Sequence, residues 1–260
     1  MIDFERKDHY GLSDLLRIVA LLRSEDGCPW DRVQTHASLR RSLLEEAYEA
    51  ADAIDRGDTE NLKEELGDVL LQVVFHARIE EEQGRFTFAD SVNDVCRKLI
   101  VRHPHVFGEV KVKDSEDVLR NWNDIKQKTK GQETYTETLR SVCGALPALM
   151  RAQKIGKRAE RAGMDFPDAE AALKSLESEI GEVKAASAEN EAEELGDMLF
   201  AAVNVVRKKG YDAEELLTRA ADKFVDRFEK TENMVRCEGK DMRSLDIDTL
   251  DAYWQKAKNQ

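Results

Sequence analysis

The chain has 260 residues, room for two small domains or one larger one. With only 14 glycines and 4 prolines, it disfavours a turn-rich β architecture. A net charge of −13 disfavours general binding to a nucleic-acid backbone, so a phosphate substrate would need a metal or a local basic patch. The N-terminus has no apolar run behind a basic stretch, and no stretch of 18 apolar residues follows, so neither a signal peptide nor a membrane span is expected. Cys28, Cys96, Cys143 and Cys237 are scattered without a CxxC pair, which points to a reduced, cytoplasmic protein rather than a zinc or disulfide framework.

Apolar residues recur at three- and four-residue spacing almost throughout, and no strand pattern stands out, so the expected fold class is all-α. In chain order the periodicity predicts helices over about 12–24, 36–56, 59–83, 87–102, 115–129, 139–161, 168–186, 188–209, 212–236 and 247–258. Gly27-Cys28-Pro29-Trp30-Asp31 reads as a structured loop, and Cys28 has no evident base partner for a nucleophilic role. Arg102-His103-Pro104-His105 reads as a helix end, because proline restricts the residue before it, and the two histidines read as capping or loop residues. His76 is expected to pack on its helix. Lys130 to Thr138 is polar and aperiodic, so it is the expected linker between domains 1–130 and 131–260.

Those halves are related. Glu64-Glu65-Leu66-Gly67-Asp68 recurs as Glu193-Glu194-Leu195-Gly196-Asp197, and Leu70/Leu199, Val74/Val203 and Arg78/Arg207 extend the match. Upstream of each copy stands an acidic pair, Glu46/Glu49 and Glu179/Glu182. Downstream come a basic pair, Lys98/Arg102 and Lys223/Arg227, then Trp122 with Lys126 and Trp254 with Lys258.

Residues three apart share a helix face, so Glu46 with Glu49, and Glu65 with Asp68, each form a pair on one face. A turn near Gly57 would set the two helices antiparallel with four carboxylates opposed; Glu179, Glu182, Glu194 and Asp197 can do the same. Two such charges 5 Å apart repel by roughly 3 kcal/mol at an effective dielectric near 20. A hard divalent cation relieves that repulsion. Neither quartet offers Cys or His, so Mg²⁺, with Mn²⁺ as substitute, is the expected ion. Glutamates at helical spacing more often form a solvated face; repetition of the whole order is what lifts these above that reading. The basic pairs have i,i+4 spacing and could grip phosphate oxygens, or simply pair with surface acids. Trp122 and Trp254 could stack on a base or pack internally.

With these residues in view, the sequence resembles the MazG family of nucleoside triphosphate pyrophosphohydrolases. The resemblance rests on CysProTrpAsp at 28–31, Gln34-Thr35, Glu45 to Glu49, both GluGluLeuGlyAsp segments, Arg102 to Phe107, Leu146 to Lys154, and Lys223 to Arg227. It implies two tandem MazG-like helical-bundle domains related to the dimeric dUTPases, completed by homodimerisation. It implies Mg²⁺-dependent hydrolysis of nucleoside triphosphates to monophosphate and pyrophosphate, by water attack at the α-phosphorus. Glu179, Glu182, Glu194 and Asp197 would hold the metal, with Glu46, Glu49, Glu65 and Asp68 as first-half counterparts. Glu179 or Glu182 would accept the water proton. Lys223, Arg227 and Trp254 would contact the nucleotide, with Ser175, Asn190 and Glu193 on the pocket wall and Lys98 and Arg102 as the earlier basic pair. No nucleic-acid or membrane partner is expected.

One departure is visible: the doublet Glu45-Glu46 becomes Ser178-Glu179. Three rivals compete with this reading. A Nudix hydrolase lacks support because Arg41 to Glu46 misses the expected flanking glutamate and glycine. A di-iron bundle would need Glu-x-x-His where Asp68 and Asp197 stand. A non-catalytic helical interaction protein would keep the acidic signature without turnover.

Overall fold

The computed structural model describes residues 4–115, 117, 118, 121, 122, 125, 129 and 131–259, and among them every regular element is helical. The chain divides into two compact units, Met1–Ile125 and Lys126–Gln260.

The first unit contains α1 (Leu12–Leu22), α2 (Pro29–Arg32), α3 (His36–Arg56), α4 (Thr59–Glu82), α5 (Phe88–Arg102) and α6 (Pro104–Phe107). Thr35 opens α3 by accepting a hydrogen bond from the Ser38 amide. Gly57 ends it at φ 66°, a left-handed position that favours glycine. Asp58 then caps α4 through the Asn61 amide. A two-residue reversal therefore folds α3 and α4 into an antiparallel hairpin, the most extensive helix pairing of this unit. The hairpin buries Leu39, Val74, Phe75 and Ile79 together with Val19 of α1, and Leu15, Leu16, Leu71 and Phe88 pack around them.

The second unit contains α7 (Tyr135–Arg140), α8 (Ala148–Arg161), α9 (Ala169–Ala185), α10 (Glu191–Lys208), α11 (Ala213–Cys237), a short 3-10 turn (Met242–Ser244) and α12 (Ile247–Lys258). Asp168 caps α9 through the Ala171 amide. The chain leaves α9 extended at Ala186, and the Asn190 side chain accepts from the backbone and hydroxyl of Ser187 to shape the turn into α10. The α9–α10 hairpin repeats α3–α4, with α8 packed on α10 where α1 packs on α4. A second hairpin, α11–α12, packs on α8 and more lightly on α10.

Several elements differ from the sequence expectation. The helix expected over 139–161 is two helices, because Gly144 and Pro147 interrupt the run and Pro147 stands immediately before α8. Part of the expected linker is helical: Thr134 and Glu137 form a capping box that starts α7. Single turns with proline at their start occupy the 28–31 loop and the 102–107 segment. Much of the helix expected over 115–129, including Lys126, lies outside the described residues. No described helix is long and apolar enough to cross a membrane.

Candidate active site

Each hairpin brings three of its four expected acids together; Asp68 and Asp197 fall outside the close groups. In the first unit, one carboxylate oxygen from each of Glu46, Glu49 and Glu65 lies within 4.8 Å of the others. The second unit does the same with Glu179, Glu182 and Glu194. Partial burial raises the pKa of Glu46, and the negative charges of Asp68, Glu49, Glu65 and Glu45 raise it further. Glu65 is shifted upward by desolvation and by Glu49, Asp68 and Glu64. In the second unit Glu179 is raised by desolvation, then by Glu182, Asp197 and Glu194. Asp68 and Asp197 thus belong electrostatically to their clusters. The donors are all hard carboxylate oxygens within reach of a common centre, which suits a hard divalent cation such as Mg²⁺.

The surroundings of the two clusters differ. Beside the second lies a cavity of about 400 Å³ between α8, α9 and α10, and Glu179, Asp197 and Ser175 form part of its wall. At its floor is Arg207, whose side chain is only 4% exposed. Arg207 donates to Asp165 through both terminal nitrogens, to Glu160 at 3.2 Å, and to the Asn204 carbonyl oxygen. Lys208 donates to Asp165 at 2.8 Å. Hydrogen bonds from Arg207 and Lys208 hold the Asp165 carboxyl down at about 2. In the first unit, the matching Arg78 is half-buried and pairs with Glu81 and Glu82. Phe75, which matches Asn204, is buried in the apolar core.

The other sequence-selected residues are placed as follows. Asn190 donates to Glu194 at 3.0 Å, so it orients an acid of the cluster besides shaping the turn. Glu193 is exposed in the first turn of α10, where the helix dipole favours acids. Glu182 accepts from Ser178 at 3.3 Å, and Glu45 pairs with Arg41. Lys223, Arg227 and Trp254 sit on the α11–α12 hairpin, where Trp254 packs against Phe224 at 4.9 Å; none of the three lines the cavity. Lys98 is exposed on α5. Arg102 lies over the Trp122 ring at 5.3 Å, and His103 meets the edge of the same ring at 4.8 Å. His103 also ends α5, its Nδ1 lying 2.6 Å from the Leu99 carbonyl oxygen. His76 is half-buried against His36, with 2.7 Å between their Nδ1 atoms. Residues that the sequence reading passed over are Gly156, Asp165, Phe166, Phe200 and Asn204. They come from separate segments and carried no shared signal, unlike Arg207, which matches Arg78 in the repeat.

Comparison with known proteins gives a consistent result. A family model described as the MazG nucleotide pyrophosphohydrolase domain matches residues 34–107. The nucleoside triphosphate pyrophosphohydrolase/pyrophosphatase MazG of Thermotoga maritima is 44% identical over 94% of this chain and 94% of its own length. The nucleoside triphosphate pyrophosphohydrolase of Escherichia coli strain K12 is 42% identical over 95% of this chain and 96% of its own. A crystal structure of a mazG-related protein from Thermotoga maritima superposes on 45% of this chain and 99% of that one, at 28% identity and a TM-score of 0.39. The full-length sequence relationships, rather than this weaker superposition, carry the family assignment.

Proposed function

Since the chain belongs to the MazG family of nucleoside triphosphate pyrophosphohydrolases, and is an enzyme of that activity, we propose that it hydrolyses nucleoside triphosphates at the α-phosphorus with Mg²⁺ held by Glu179, Glu182, Glu194 and Asp197. The observation that carries this reading is the acidic cluster opening onto a cavity: Glu179 and Asp197 belong to both. A divalent cation held by these carboxylates would supply Lewis-acid charge to neutralise the phosphates and favour loss of the water proton. The protein's own part is to orient the triphosphate and take up a proton. Water oxygen bonds to the α-phosphorus while the bond to the α–β bridging oxygen breaks, releasing pyrophosphate. A carboxylate of the cluster accepts the water proton; Glu179 is the better placed of the two candidates, because it faces the cavity and Glu182 does not line it. Asn190 steadies Glu194 through its amide. Lys223 and Arg227, or the corresponding residues of a second copy, supply charge to the departing pyrophosphate.

Homodimerisation belongs to the same proposal. Leu66 and Leu70 on α4, and Leu195, Leu199 and Phe200 on α10, are exposed apolar side chains beside the acidic pairs. Between them Gly67 and Gly196 sit mid-helix, where an added Cβ would meet nothing within 4 Å of this chain. Glycine in a helix interior costs about 1 kcal/mol relative to alanine. Close approach by a second copy explains that choice. The four cysteines are free thiols, which fits a reducing, cytoplasmic setting.

The test is turnover of nucleoside triphosphates in ¹⁸O-water with and without Mg²⁺. Monophosphate and pyrophosphate should form only with the cation, and the label should enter the monophosphate. Label in pyrophosphate, or formation of diphosphate and phosphate, would overturn the α-phosphorus assignment.

A further inference from the structure

A pair of histidines in the first unit takes no part in the phosphate chemistry. His36 is the first residue of α3, and His76 meets it from α4. Their rings lie nearly parallel, 12° apart, and 2.7 Å separates the two Nδ1 atoms. His36 Nε2 stands 2.5 Å from Glu80 Oε1. Hydrogen bonds from Arg85 and His36 hold the Glu80 carboxyl at about 2, so it remains a carboxylate, which only accepts. These contacts assign the protons. His36 Nε2 carries a hydrogen and donates it to Glu80, which leaves Nδ1 of the neutral ring bare. His76 Nδ1 then carries the hydrogen that bridges the two rings, and its Nε2 is bare. That Nε2 atom is buried and has no hydrogen-bond partner among the described residues. The charged groups around the pair are Glu80 and Arg85. Arg23, at the end of α1, is engaged with Glu82 and with the Asp31 and Gln34 carbonyls.

The arrangement leaves one vacancy for a proton. Among the four ring nitrogens, His36 Nε2 is occupied and one hydrogen fills the 2.7 Å gap, so a further proton enters only at His76 Nε2. It finds no acceptor there, and burial, with the neighbouring His36, holds the His76 pKa below its ordinary value. The alternative is to part the rings. The His36 side chain is 42% exposed, so as an imidazolium it keeps Glu80 on one nitrogen and offers the other to water. We propose that His36 and His76 form a proton-operated latch, which pins the start of α3 to α4 while the pair is neutral and opens on protonation. A base that the closed form keeps neutral favours that form above its pKa and loses it as pH falls. The latch holds the chain that leads into α3. Arg23 ties the same stretch through the Asp31 and Gln34 carbonyls, so opening loosens the CysProTrpAsp turn without unfolding the hairpin. The device belongs to the first unit alone, because Val205 and Lys209 occupy the matching places of the second. It stands about two turns or more along the helices from Asp68 and Glu46, so it titrates apart from the acidic cluster.

The experiment follows the full chain by NMR between about pH 8 and 5.5, reading the histidine ring nitrogens and the amide protection of residues 29–38, corrected for intrinsic exchange. At the upper end His76 should be the Nδ1–H tautomer and His36 the Nε2–H tautomer. On acidification the two rings should change together, and protection of 29–38 should fall roughly ten-fold. His36→Gln, at an exposed side chain, should reduce that fall to within about two-fold. His76→Phe keeps a ring in place and should do the same; it serves if the first variant does not fold. An Nε2–H tautomer of His76 at the upper end, independent titration of the two rings, or a fall in protection retained in a folded variant would overturn the latch. So would a proton gained at His76 Nε2 with protection unchanged.

Discussion

The α3–α4 and α9–α10 hairpins carry the same acids in the same order, yet they are set in different interiors. In the first, the helix after the acidic pair turns Phe75 into an apolar core and leaves Arg78 only half-buried. In the second, the matching positions are Asn204 and Arg207, both buried, and a cavity opens beside the acids. Three carboxylates come within 4.8 Å of one another in both. A duplicated acidic signature therefore does not bring duplicated surroundings. What separates the two is a pair of buried side chains about two to three turns beyond the acids.

The largest expected effect tests this contrast directly. Asp197→Ala should lower kcat for pyrophosphate release roughly 100-fold or more, whereas Asp68→Ala should change it by less than about three-fold. Equal losses would make the halves equivalent; the reverse order would place turnover on the first hairpin. Next comes stability. Arg207→Leu leaves Asp165 without its main partner in a buried setting and should cost about 3 kcal/mol in denaturant unfolding. Its counterpart Arg78→Leu removes more exposed pairs and should cost less, about 1 kcal/mol.

A smaller effect is expected in acid. Asp165 has a folded pKa of about 2, below its ordinary 3.8. A carboxylate lowered by folding contributes stability that is complete above the unfolded value and lost as pH falls through the folded one. Amide exchange in α10 should therefore quicken between about pH 3.8 and 2, and Asp165→Asn should remove that component. The smallest effect concerns the open helical glycines. If a second copy packs on α10, Gly196→Ala should weaken dimerisation in sedimentation experiments. If nothing approaches that face, the same change should stabilise the protein by about 1 kcal/mol and leave its association state unaltered.

Much of the architecture was legible because it is local. Thr35, Gly57, Asp58 and Asp168 mark helix ends by their own hydrogen bonds or backbone preference, so the long helices fall close to their expected spans. The convergence of each acidic trio was legible for the same reason: i,i+3 spacing on two helices joined by a short reversal leaves little choice. The single-turn helices at Pro29 and Pro104 were less so, because a single turn has no periodicity to detect. Asp165 and Asn204 escaped notice because their roles arise from α8, α10 and the segment before α9 meeting in space.

The sequence by itself determined an all-helical chain, its internal repeat and the two carboxylate sets, since periodicity, caps and i,i+3 spacing act over a few residues. Only the tertiary structure decided that Phe75 packs into the apolar core of one hairpin while Asn204, Arg207 and Gly156 line a cavity beside the acids of the other. Cavities depend on how distant helices fill or fail to fill a shared volume, and no local pattern encodes that.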